Sequence, residues 1–64
     1  MINRDKLRGL MAERKITQAK LAKEIGISTN SLNMKLNGKT SFNESEIRSI
    51  AKCLDVSTDF LFTY

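Results

Sequence analysis

The 64-residue chain contains no histidine, no proline and no tryptophan, and only one cysteine, Cys53. A single thiol excludes an intramolecular disulfide, and without histidine there is neither a ligand set for zinc nor a Cys–His pair. Cys53, with no base to activate it, reads as an inert position. An enzyme would also need an acid–base pair or paired pocket carboxylates, and the sequence offers none, so no catalytic residue, metal, cofactor or small-molecule substrate is expected. No run approaches the roughly 18 apolar residues of a membrane span and no secretory leader pattern appears, so a cytoplasmic location without a membrane partner is expected. A chain of this length buries only about 60% of its unfolded surface, enough for one small core and therefore one domain over residues 1–64.

What the chain does have is concentrated between Thr17 and Gly38, TQAKLAKEIGISTNSLNMKLNG. Thr17 places a side-chain oxygen just before Leu21, Ala22 and Ile25, which recur at helical spacing. That helix has to stop at Gly26, where glycine can take the positive φ of a tight turn that costs other residues about 1 to 2 kcal/mol. Ser28 then caps a second helix, expected over 28–37. Helix, short glycine turn and second capped helix make a helix-turn-helix, a unit whose second helix enters the major groove of DNA.

The second helix has two unlike faces. Counting about 100° per residue from Ser28, Leu32 and Leu36 fall near 40° and 80°, while Asn37, Asn30 and Met34 fall near 180°, 200° and 240°. One face packs, and the other is neutral and polar. Between Gly26 and Gly38 there is no acidic residue and one cation, Lys35, so amide and hydroxyl groups could approach a phosphate-lined groove without repulsion. The competing reading is a solvated amphipathic helix, but asparagine is a mediocre helix former and three of them, at 30, 33 and 37, are an odd choice where Glu or Lys would serve better. Asn30 can pair bidentately with adenine, Asn33 can reach a base or a phosphate, and Met34 suits a thymine methyl group.

The net charge of +4 is unevenly spread. Residues 1–40 hold nine Lys or Arg against Asp5, Glu13 and Glu24, or +6, whereas residues 41–64 hold two cations against four acids, or −2. Positive charge gathered around a candidate recognition helix is the electrostatic footprint of a DNA binder.

The rest of the chain supplies the scaffold. Asn3 can cap a first helix over 3–14 with Leu7, Leu10 and Met11 on its apolar face and Arg4, Arg8 and Arg14 around it. Gly9 in its interior costs about 1 kcal/mol against alanine and signals either a close helix crossing or simple tolerance. Asn43 and Glu46 form a variant capping box for a helix over 44–54, with an apolar stripe of Ile47, Ile50, Ala51 and Leu54. Ser57 caps a last short helix through Leu61. The tail then crowds Phe60, Phe62 and Tyr64 together, more aromatics than one helical turn needs. An exposed aromatic cluster marks a protein contact, so these three are candidates for a homodimer interface; the alternative is that Phe60 and Leu61 finish the core.

Thr17 to Thr40 resembles the helix-turn-helix of the Cro/repressor proteins of phages and bacteria, the xenobiotic-response-element family. The residues that carry the likeness are TQAKLA at 17–22, Gly26 with Ile27, Leu32, and NGKT at 37–40, and SEIRSIAKCLDVSTDFL at 45–61 is similar to the family's last two helices. The resemblance implies an all-α, five-helix, lambda-repressor-like domain that binds double-stranded operator DNA, with a homodimer at least on DNA. It implies base contacts from Thr29, Asn30 and Met34, with Asn33 beside them. It also implies a phosphate contact from Gln18, and the neighbouring Ser28, Asn37, Lys39 and Thr40 are read as phosphate-binding too. Two positions depart from the family pattern. The apolar residue expected at Lys35 stands at Leu36 instead, and the positions that in some members pair a cation with a carboxylate are Met11 and Leu36, both apolar. A protein-binding use of the same fold, as in an antitoxin or anti-repressor, stays open, because a helix-turn-helix does not by itself prove DNA binding.

Overall fold

Each helix begins where a short polar side chain can satisfy a backbone donor that the helix itself leaves free. The computed structural model describes residues 2–62, and its five helices are α1 (Arg4–Glu13), α2 (Gln18–Ile25), α3 (Thr29–Leu36), α4 (Glu44–Leu54) and α5 (Thr58–Leu61). Asn3, Thr17, Ser28, Asn43 and Ser57 cap them in turn, each side chain accepting from the backbone N–H three residues on. At α4 the arrangement is reciprocal, with Glu46 N donating to Asn43 Oδ1 at 2.8 Å and Asn43 N donating to Glu46 Oε1 at 2.9 Å. The expected helix over 28–37 is therefore α3 together with its two flanking caps.

The helix ends are equally regular. After α1, α2, α3 and α4 one residue turns left-handed: Lys15 (φ 56°), Gly26 (φ 78°), Gly38 (φ 79°) and Asp55 (φ 58°). In each case the next N–H reaches back to close the last turn, as Ile27 N does to Ala22 O at 3.0 Å and Lys39 N to Met34 O at 3.0 Å. The motif satisfies carbonyls the helix end would leave free. Two of the four sites use glycine, and Lys15 and Asp55 adopt the same conformation against a steric penalty.

The core is wholly apolar. Leu7, Leu10 and Met11 from α1, Leu21 and Ala22 from α2, Leu32 and Leu36 from α3, Ile47, Ile50, Ala51 and Leu54 from α4, and Leu61 from α5 are buried together, and among the described residues no polar or charged one is. Helix α2 lies against both α3 and α4, and α5 closes against α4 and α1. Ile2 and Phe62 pair as an isolated antiparallel bridge, and Asn3 N donates to Leu61 O at 2.6 Å, so the two ends of the described chain are held side by side.

The structure decides several positions that the sequence left open. A Cβ added at Gly9 would meet nothing within 4 Å, so Gly9 marks tolerance and not a close crossing. Leu32 and Leu36 are both fully buried and Met11 joins them in the core; α3 therefore packs through positions four apart. Of the tail, Leu61 is fully buried and Phe62 packs against the core, whereas Phe60 remains 45% exposed with Lys6 Nζ 4.7 Å from its ring centre. Of the alternative in which Phe60 and Leu61 finish the core, the Leu61 half holds and the Phe60 half is corrected, because the Phe60 ring lies on the surface against Lys6. Tyr64 lies outside the described residues.

Candidate nucleic-acid interface

The exposed side of α3 carries the short polar side chains that its wheel foretold. Thr29, Asn30 and Asn33 are exposed and Met34 is half-buried, while Leu32 and Leu36 anchor the opposite side. Asn30 Nδ2 lies 4.0 Å from Met34 Sδ. A thioether is a weak acceptor, so this contact does not tie the Asn30 amide down. Thr29, Asn30 and Met34 thus present a methyl-bearing hydroxyl, a carboxamide and a soft apolar tip, the groups that read adenine edges and thymine methyls.

Asn33 is placed differently. Its Nδ2 donates to Gln18 Oε1 at 3.3 Å and its Oδ1 accepts from Asn37 Nδ2 at 3.0 Å, so its amide is engaged on both sides. Gln18, half-buried, is the first residue of α2 and meets α3 through this bond.

The other candidates for phosphate contact divide by what their side chains already do. Ser28 is exposed, but its hydroxyl accepts from Ser31 N and donates to Ser31 Oγ, each at 3.0 Å. Asn37 is the C-terminal cap of α3 and its side chain bonds to Asn33 and to Arg8. Lys39 and Thr40 are exposed in the loop that leaves α3.

Three cations have roles that sequence reasoning missed. Arg8 Nη2 donates to Leu36 O and to Asn37 Oδ1, both at 2.9 Å, so a guanidinium from α1 closes the negative end of α3. Arg14 does the same for α4, with Nε donating to Leu54 O at 2.6 Å. Lys35, the lone cation of α3, is turned away from the polar face. Its ammonium donates to Ser41 O at 2.9 Å, pairs with Glu46 Oε1 at 3.2 Å and lies 5.9 Å from the Phe42 ring centre. Only 15% of the Lys35 side chain is exposed, so it latches α3 to the start of α4.

Among the described residues no cluster of His, Cys, Asp or Glu could hold a metal ion, and no helix is long and apolar enough to cross a membrane. Five helices, with the second and third joined by a left-handed glycine and the third presenting an acid-free polar face, define an all-α helix-turn-helix domain. The sequence profile described as helix-turn-helix matches residues 7–61. The chain belongs to that family, the Cro/C1-type helix-turn-helix proteins of the xenobiotic-response-element group, and is a DNA-binding helix-turn-helix regulator. The family is typically non-enzymatic. A search of curated proteins found no match.

Proposed function

We propose that this protein is a cytoplasmic, Cro-like transcriptional repressor of phage or bacterial origin that binds a palindromic operator as a homodimer, with α3 in the major groove. The observation that carries the reading is the face of α3: Thr29, Asn30 and Met34 lie together without an acidic neighbour on the helix. Around them, Gln18 at the start of α2 and Lys39 and Thr40 beyond α3 are suited to holding phosphates on either side of the bases, with Ser28 contributing at the positive end of α3 and Asn37 through its exposed amide. Phosphate contacts position such a domain and base contacts specify the site. Repression then follows from occupancy of a promoter. Phe60, the exposed large apolar side chain among the described residues, is the natural contact for a twofold partner; Phe62, packed against the core, has less surface to offer it.

Selection of binding sites from random duplex DNA tests the reading directly. The expected product is an enriched palindrome whose half-sites lie about one helical turn apart. Affinity for it should fall with salt at a log–log slope of about −0.9 for every phosphate neutralised. No enrichment together with a flat salt response would overturn DNA binding and favour a protein-binding role. An enriched but asymmetric site would overturn the dimer alone.

A further inference from the structure

Four polar side chains form an unbroken line across the flank of the recognition helix. Arg8 Nη2 donates to Asn37 Oδ1 (2.9 Å), Asn37 Nδ2 donates to Asn33 Oδ1 (3.0 Å), and Asn33 Nδ2 donates to Gln18 Oε1 (3.3 Å). The line joins α1 to α3 and α3 to α2 through residues that sequence proximity does not connect.

The chemistry of its first member fixes the order of the rest. A carboxamide can turn over in place and exchange its oxygen for its NH2 group, and three carboxamides in a row could run in either direction. A guanidinium has donors only. Asn37 must therefore turn its oxygen to Arg8 and its NH2 to Asn33, which must do likewise toward Gln18. Gln18 accepts with its oxygen, and its own NH2 group is left over as the free end of the line. That free end is a donor at the first residue of α2, where unpaired backbone N–H groups already favour an anion. Bonds running in one direction also polarise one another, which strengthens the last donor.

We infer that Arg8 is a positioning residue for DNA: by setting the direction of the amide line it makes Gln18 Nε2 a committed hydrogen-bond donor to a backbone phosphate. The inference rests on the proposed DNA-binding function. Its second consequence is that Asn33 transmits this order and does not need to touch a base itself.

A double-mutant cycle on a mixed-sequence duplex, combined with side-chain amide resonances of the free protein, tests the assignment. In the wild type, Gln18→Ala should weaken duplex binding about fivefold, the worth of one hydrogen bond. In an Arg8→Met or an Asn33→Ala background the same change should cost less than about twofold, although Arg8 and Gln18 do not bond to each other. Arg8→Lys keeps a donor at the head of the line and should restore most of the Gln18 dependence. In the free protein, Arg8→Met should shift the Gln18 Nε2 resonances across the two intervening asparagines. Asn33→Ala leaves the Arg8 bond to Leu36 O in place and alters an exposed side chain, so it reads the line without disturbing the helix end. A Gln18→Ala loss that is equal in every background, with wild-type binding intact, would overturn the positioning role and leave the function standing. If the wild type does not bind duplex at all, the function falls, and Gln18 resonances unmoved by Arg8→Met overturn the line as well.

Discussion

Gly9 lies in the interior of α1, and replacing it with alanine should stabilise the protein by about 1 kcal/mol. Glycine is about 0.8 to 1.0 kcal/mol worse than alanine at such a position because its backbone loses more freedom on folding. The usual objection, that the glycine is there to let another element approach, fails on geometry: a Cβ at Gly9 has no neighbour within 4 Å. With an unfolding entropy of about 2.1 cal/mol/K per residue over 64 residues, the gain corresponds to a rise in Tm of about 7 °C. The same substitution at Gly26 should have the opposite sign. Space is open there too, but φ is 78°, and a left-handed alanine costs about 1 to 2 kcal/mol, only partly offset by the stiffer unfolded chain. The expected loss is about 1 kcal/mol. Thermal melts followed by circular dichroism, with urea titrations to check that the m-value is unchanged, measure both. A neutral or destabilising Gly9→Ala at constant m-value, or a stabilising Gly26→Ala, would refute the conformational reasoning.

Leu36→Ala removes a fully buried anchor of α3 and should cost about 2 to 5 kcal/mol, a large share of the total stability of so small a domain, as read from urea midpoints. A loss under about 1 kcal/mol would mean that α3 does not pack through this position. Lys15→Gly relieves a left-handed lysine (φ 56°) and should raise stability by about 0.5 to 1 kcal/mol in the same assay; a loss would place the value of Lys15 in its side chain. If Met34 reads a thymine methyl, changing one thymine of the selected site to uracil should weaken the wild type and leave Met34→Ala indifferent. Equal losses in both proteins would remove Met34 from the reading set. Lys39→Ala should weaken binding to selected and mixed-sequence duplex alike and make the salt slope shallower by about one.

The features legible in the sequence are those whose causes lie within one helical turn. Asn3, Thr17, Ser28, Asn43 and Ser57 each cap a backbone N–H three residues on, so a short polar residue before an apolar period sufficed to place every helix start. Gly26 announced its own left-handed φ, and the stripe through Ile47, Ile50, Ala51 and Leu54 named the buried side of α4. Likewise Leu32 and Leu36 separated the packed side of α3 from its polar side before any coordinate. Tertiary structure alone decided the partners of long side chains. Arg8 reaches α3 across 28 positions of sequence and Arg14 reaches α4 across 40, and both depend on where helices cross, which no local pattern records. Lys35 is the one cation between Gly26 and Gly38, and only the meeting of α3 with Glu46 at the start of α4 decided that it turns inward. The same holds for the tail, where the bridge of Phe62 to Ile2 left Phe60 outside. Capping and turn chemistry act over three or four residues and are written in the chain; the direction of a flexible cation or aromatic is chosen by whichever carbonyl, carboxylate or cavity the packed helices bring within its reach.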